Sequence, residues 1–208
     1  MSEYKDYGYT DEMGTTCHEY LYPDLLKVLD TNKNKKILDM GCGNGFLTRQ
    51  LLVDGFDAYG TDASELGILI AKRKYPERFF VQDINDSSLP SELSNIRFET
   101  IISTEVIEHL YNPRLFIKFC YNVLKKEKGE LIISTPYHGY FKNLMIALSN
   151  KFDHHINPLW LGGHIKFWSF KTLKKILEEE GFNVTQFKGS GRFPGLWKSM
   201  LIKAKIND

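Results

Sequence analysis

Short apolar runs alternate with stretches of helical period along most of the chain. Residues 35–41, KKILDMG, form a buried-strand run that ends at a glycine. FLTRQLLVDGF then shows helical apolar spacing with a stop at Gly55. Residues 57–62 predict a second short strand. Residues 64–76 predict a helix with Ser64 as its cap and Pro76 just past its end. Residues 78–83 and 98–104 predict the third and fourth strands. The clearest helix spans 112–129. Asn112 caps it, Pro113 sits in its first turn, and Leu115, Phe116, Phe119, Cys120, Val123 and Leu124 share one apolar face. A fifth strand (129–136), a capped helix (169–182) and two closing strands complete the pattern. This order predicts an α/β domain built on a mainly parallel sheet.

Two segments stand apart. Residues 1–34 are rich in tyrosine and read as an N-terminal cap. Residues 137–168, aromatic and histidine-rich, read as an insert that covers a site. Within the insert, FKNLMIALSNKF has helical spacing and suits a lid helix. The whole of 1–208 is expected to be one domain.

Composition narrows the class. The chain is 42% hydrophobic and 25% charged, ordinary for a globular protein, and its formal net charge of +1 gives no overall electrostatic case for nucleic acid. Cys17, Cys42 and Cys120 show neither a disulfide framework nor a zinc spacing, which suits a reducing compartment. The first residues do not resemble a signal peptide, and no apolar run nears the ~20 residues of a membrane span. A cytoplasmic location is expected, with no stable membrane insertion.

The chemistry gathers at strand ends. LDMGCGNGF (38–46) places Gly41, Gly43 and Gly45 between a strand and a helix, where glycines let a ligand approach the backbone. Asp62 ends the second strand, where a carboxylate can accept ribose hydroxyls. Asp83 ends the third, where it can accept from an adenine amino group. A dinucleotide loop would carry a third glycine, yet Phe46 and Leu47 follow Gly45. Asp39 would repel a pyrophosphate but suits an amine-bearing, cationic ligand. These features favour S-adenosylmethionine over a nicotinamide cofactor.

Taken in order, ILDMGCGNG, YGTDAS, VQDI and STEVIEHLYNPRLFI resemble the successive motifs of class I S-adenosylmethionine-dependent methyltransferases, over roughly residues 35–190. The resemblance implies a Rossmann-like, doubly wound, seven-stranded sheet whose last strand is antiparallel. It implies cofactor contacts from Asp39, Gly41, Cys42, Gly43, Gly45, Asp62, Ala63, Asp83, Ile84, Thr104 and Glu105. The EVIEHL turn is similar to that of the ubiquinone-biosynthesis O-methyltransferases and of small-RNA 2′-O-methyltransferases. From those relatives the resemblance implies a divalent metal on Glu105, Glu108, His109 and His164. That ligand set suits Mn, Fe, Co or Zn better than Mg. The other reading of the turn carries no metal: Glu105 contacts the cofactor, and His109 is a general base or orients the acceptor. His138 is a second candidate base, whereas His154 and His155 read as a solvated loop pair. The expected activity is methyl transfer to an O or N atom of a small molecule. The alternatives are a metal-dependent RNA 2′-O-methyltransferase-like enzyme and a non-catalytic S-adenosylmethionine-binding domain.

Overall fold

The computed structural model describes residues 8–207 except 31, 33, 34, 85, 157 and 161. The parts of the expected cap at 1–7, 31, 33 and 34, and of the insert at 157 and 161, lie outside the described residues. Strands β1 (Lys36–Met40), β2 (Asp57–Asp62), β3 (Phe79–Val81), β4 (Thr100–Thr104), β5 (Glu130–Pro136), β6 (Phe182–Ser190) and β7 (Ser199–Ile206) form one sheet. Their order is β3-β2-β1-β4-β5-β7-β6. The first five run parallel, and β7 pairs antiparallel with both β5 and β6. The order reverses between β1 and β4, which is where such sheets open a crevice for a ligand.

The alternation along each central strand explains the layers. Ile37, Ile102 and Ile132 join one apolar cluster, while their neighbours Leu38, Ile101 and Ile133 join another. A period of two sends successive side chains to opposite faces, so a continuous apolar run is buried on both. Helices α1 (Thr16–Val28) and α2 (Phe46–Val53) supply Leu21, Leu25, Leu47 and Leu51 to one face. Helices α4 (Pro113–Leu124) and α7 (Phe170–Glu179) supply Phe116, Cys120, Leu173 and Leu177 to the other. Helix α3 (Glu65–Lys72) packs Ile68 and Ala71 on Phe79 beside the glycine loop.

Local chemistry sets the helix starts. The Ser64 side chain accepts from Gly67 N, Asn112 accepts from Leu115 N, and Ser169 forms a reciprocal capping box with Thr172. The insert holds α5 (Tyr140–Leu148) and the short α6 (Phe152–Ile156). Helix α5 reverses the expected polarity of a lid. It buries Lys142 and Ile146 and exposes Tyr140, Phe141 and Leu148. Helix α1 within the cap was not legible in the chain, because Pro23 and the mixed spacing of its tyrosines obscure the helical period.

Candidate active site

The glycine loop folds as a cradle at the carboxyl end of β1. Gly41, Gly43 and Gly45 all hold positive φ, of 80°, 56° and 77°. Gly45 also starts α2, and a Cβ there would sit 2.6 Å from Ala71 Cβ and 2.7 Å from Phe79 Cε1. Glycine is therefore required at Gly45 by both conformation and space. A strap crosses the loop from the N-terminal side. Asn44 Nδ2 donates to the carbonyls of Asp11 and Met13, each at 2.9 Å, and Arg49 donates to the carbonyls of Glu12 and Asn44. Tyr9 lies against Gly43 and Gly67. No residue type announces this strap, since its bonds run to backbone carbonyls that any residues could supply.

The acidic strand ends behave differently from one another. Asp62 accepts from Gly43 N at 2.7 Å with one oxygen and from Ser64 N at 2.8 Å with the other. A carboxylate oxygen can accept more than one hydrogen bond, so this side chain suits ribose hydroxyls. Ala63 is half-buried beside it. Asp39 is fully buried, takes a 2.6 Å bond from Thr48 Oγ1, and leaves Oδ1 without a partner. Burial lifts its carboxyl to about 7, with the nearby Asp62 charge adding to the rise. Asp83 and Ile84 are half-buried after β3. Next to them Gln82 is buried with Oε1 unpartnered. Cys42 packs its buried thiol against Gly60, and burial pushes its pKa far up, so it serves as a wall rather than a nucleophile. These glycines, acceptors and orphaned oxygens fit an adenosine ligand with an amine-bearing tail.

The EVIEHL turn is not a single turn of α-helix, in which the i, i+3 and i+4 spacing would put Glu105, Glu108 and His109 on one face. Glu105 takes a left-handed φ of 55°, and a tight 3₁₀ turn covers only Ile107–His109. The three side chains consequently do not share one helical face. Glu105 N donates to Ser134 O, while Ser134 Oγ and Ser199 Oγ donate to its carboxylate at 2.8 and 3.2 Å. Burial still raises Glu105 to about 7. Left-handed backbone at a non-glycine residue costs about 1–3 kcal/mol and persists only where surroundings enforce it. Here β5 and β7 supply that enforcement. Ser134 and Ser199 were missed at the sequence level because they read as ordinary strand residues.

Glu108 turns inward. It is 1% exposed and takes a 3.0 Å bond from Thr135 Oγ1, but its Oε1 has no partner. His109 Nε2 and His164 Nε2 each stand 4.0 Å from that oxygen. One ligand atom from each of the three residues falls within 4.8 Å of the others. His164 is brought there by backbone bonds, because Ile165 N and Lys166 N both donate to Glu108 O at 2.9 Å. His109 Nδ1 lies 2.7 Å from Gly162 O and 3.2 Å from Gly163 O. Carbonyls only accept, so Nδ1 carries the proton and Nε2 keeps its lone pair. Burial lowers His109, and burial with the charge of His109 lowers His164 to about 4. Burial, then the charge of Glu105, pushes Glu108 well above the usual carboxylate range. Two neutral imidazoles face one buried oxygen that lacks a partner. That donor set fits a divalent cation. Glu105, expected as a fourth ligand, stands outside this group with its oxygens on serines.

His138 Nδ1 pairs with Asn143 Oδ1 at 3.2 Å, and its ring meets Phe167 edge-on at 5.1 Å. Thr104, at the end of β4, is half-buried beside Glu105. His154 and His155 lie exposed on α6 and are not among the three gathered ligands.

A glycine cradle at the crevice of a doubly wound sheet, with a carboxylate closing the next strand, defines an adenosine-cofactor domain of Rossmann-like type. Residues 15–187 match the family described as a methyltransferase domain. The mitochondrial ubiquinone biosynthesis O-methyltransferase of Rattus norvegicus is 30% identical over 173 residues, covering 78% of this chain and 49% of that protein. The ubiquinone biosynthesis O-methyltransferase of Glaesserella parasuis is 27% identical over 181 residues, covering 83% and 75%. The chain thus spans about half the length of the rat relative. The magnesium protoporphyrin IX methyltransferase of Synechocystis, solved with S-adenosylhomocysteine, superposes with a TM-score of 0.66 at 19% identity, covering 90% of this chain and 82% of that one. The chain belongs to this methyltransferase-domain family, among the S-adenosylmethionine-dependent methyltransferases. The seven-stranded sheet with its antiparallel last strand agrees with the expectation from sequence. Among the described residues, no helix is long and apolar enough to cross a membrane.

Proposed function

We propose that this domain transfers a methyl group to a hydroxyl oxygen of a small-molecule acceptor, beside a divalent cation held by Glu108, His109 and His164. The orphaned Oε1 of Glu108, set between two imidazole Nε2 atoms at 4.0 Å, carries this reading. The O-methyltransferase names of the sequence relatives support oxygen as the methylated atom. The cofactor would bring an already activated methyl group on its sulfonium, so the chain's task is alignment, exclusion of water and removal of one proton. Gly41, Gly43 and Asp62 would hold the cofactor against the sheet, with Asp83 and Ile84 at the adenine. A cation on the three ligands would lower the pKa of an acceptor hydroxyl. With His109 committed to the cation, His138 is the base that takes the hydroxyl proton. Its Nδ1–H rests on Asn143, and burial keeps the ring neutral near pH 7. A cytoplasmic setting and a small-molecule partner complete the proposal.

The test is methyl transfer from labelled S-adenosylmethionine to a hydroxyl of 3,4-dihydroxybenzoate. Protein stripped with EDTA should lose turnover and regain it with Mn²⁺, and His138→Ala should slow it by roughly 10²–10⁴-fold, the usual range for a general base. Full turnover in EDTA would remove the cation from the reaction.

A further inference from the structure

Lys142 is a cation buried beside the site without a counter-ion. It is 7% exposed, at the third residue of α5. Its Nζ donates to Lys198 O at 3.0 Å, and no carboxylate oxygen lies within 4.0 Å of it among the described residues. An ammonium has three donors, and the described residues take one of them. The carbonyl it holds also accepts from Tyr137 N, and the following residue, Ser199, donates to Glu105. The ammonium therefore sits where the insert meets the floor of the site.

Apart from Glu105, the groups that act on it are cationic or neutral. His138 and His164 lie near enough to feel its charge, as does His155, and Arg192 in the β6–β7 connection adds a permanent cation. Arg192 is exposed and makes no hydrogen bond or ion pair among the described residues. Glu105 attracts Lys142 from a distance, but its oxygens are taken by Ser134 and Ser199. Burying an ammonium without a partner costs several kcal/mol, and a lysine with only a structural task would reach solvent or pair with a carboxylate. The missing component is an anion that arrives from outside.

We propose that Lys142 binds an anionic group of the methyl acceptor, a carboxylate or a phosphate, with Arg192 as a second contact at the mouth of the site. The acceptor is then a hydroxy acid or a hydroxylated phosphate ester rather than a neutral phenol or sugar. This rests on the methyl-transfer reading above. The cofactor's own carboxylate is the other source of the same chemistry, and the test separates the two.

Calorimetry is performed on protein loaded with S-adenosylhomocysteine, in wild type, Lys142→Met, Lys142→Arg and Arg192→Ala. The probes are 3,4-dihydroxybenzoate, its neutral amide and phenyl phosphate. Wild type should bind at least one anion ten times or more tighter than the amide, and the better anion identifies carboxylate or phosphate. Lys142→Met should erase that preference, Lys142→Arg should keep part of it, and Arg192→Ala should weaken it a few-fold. S-adenosylhomocysteine affinity should stay within twofold in all four proteins. Equal binding of anions and amide by wild type would overturn the proposal. So would a tenfold loss of S-adenosylhomocysteine affinity in Lys142→Met with 5′-methylthioadenosine binding unchanged, which would give Lys142 to the cofactor carboxylate. Failure of wild type to bind S-adenosylhomocysteine at all would instead overturn the underlying methyl-transfer reading.

Discussion

Replacing Glu108 by glutamine should make the metal-free protein more stable and, in the same stroke, unable to hold a cation. Glu108 is 1% exposed, with one oxygen unpartnered and its carboxyl held well above 4.5. The folded form binds this proton more tightly than the unfolded chain does. The stability linked to it is therefore complete below about pH 4.5 and is lost as pH rises. Against an unfolded value of 4.5, a raised folded value costs about 1.4 kcal/mol for each pH unit up to that folded value, so at pH 8 the cost is capped at about 5 kcal/mol. Glutamine removes that penalty but must bury an amide, so the gain is at most about 2–3 kcal/mol. For a chain of this size that is roughly a 4–12 °C rise in Tm at pH 8 in EDTA, shrinking toward zero near pH 5. Thermal and urea unfolding at pH 5, 6.5 and 8 measure it. Added Mn²⁺ should then stabilise wild type and leave Glu108→Gln unmoved. A variant less stable than wild type at pH 8 in EDTA, or one with the same slope against pH, would refute the reasoning.

Three further perturbations probe the frame of the site. Gly45→Ala meets Ala71 and Phe79 inside van der Waals range at a φ of 77°, so it should lower urea stability by about 2–5 kcal/mol. Asp62→Ala takes the acceptor from Gly43 N and Ser64 N as well as from a ribose, and should weaken S-adenosylhomocysteine binding roughly 10–100-fold by calorimetry. Ser199→Ala removes one of the two hydroxyls on Glu105 and the partner of Tyr20. It should cost about 1–2 kcal/mol in urea unfolding at pH 8, and an unchanged midpoint would count against an ionised Glu105 there.

Much of the frame was legible because it rests on local signals. Ser64, Asn112 and Ser169 announce helix starts through the same side-chain caps the structure shows. The unbroken apolar runs at 101–102 and 131–133 mark strands buried on both faces. The glycine loop was legible because Gly41, Gly43 and Gly45 each need a backbone state that other residues resist. What stayed hidden depends on long-range partners. The left-handed turn at Glu105 is imposed by Ser134 and Ser199, which lie 29 and 94 residues away. A carboxylate at that position carries no mark of the conformation. The family resemblance put His164 with Glu108, but the backbone bonds from Ile165 and Lys166 that bring it there left no trace in the residue types, since any pair could make them. Lys142 stands in a helical stretch whose other residues are mostly apolar, yet it lies on the buried side. Hydrophobic spacing could not reveal that inversion, since an inward lysine beside an exposed apolar face contradicts the usual pattern.

The account turns on whether Glu108, His109 and His164 hold a divalent cation next to the cofactor. The most direct measurement is electron paramagnetic resonance of Mn²⁺ titrated into chelator-stripped protein saturated with S-adenosylhomocysteine. We predict one saturable site per chain, lost in His164→Ala while S-adenosylhomocysteine still binds. Intact S-adenosylhomocysteine binding with no saturable Mn²⁺ site, or with a site that survives His164→Ala, would contradict the account.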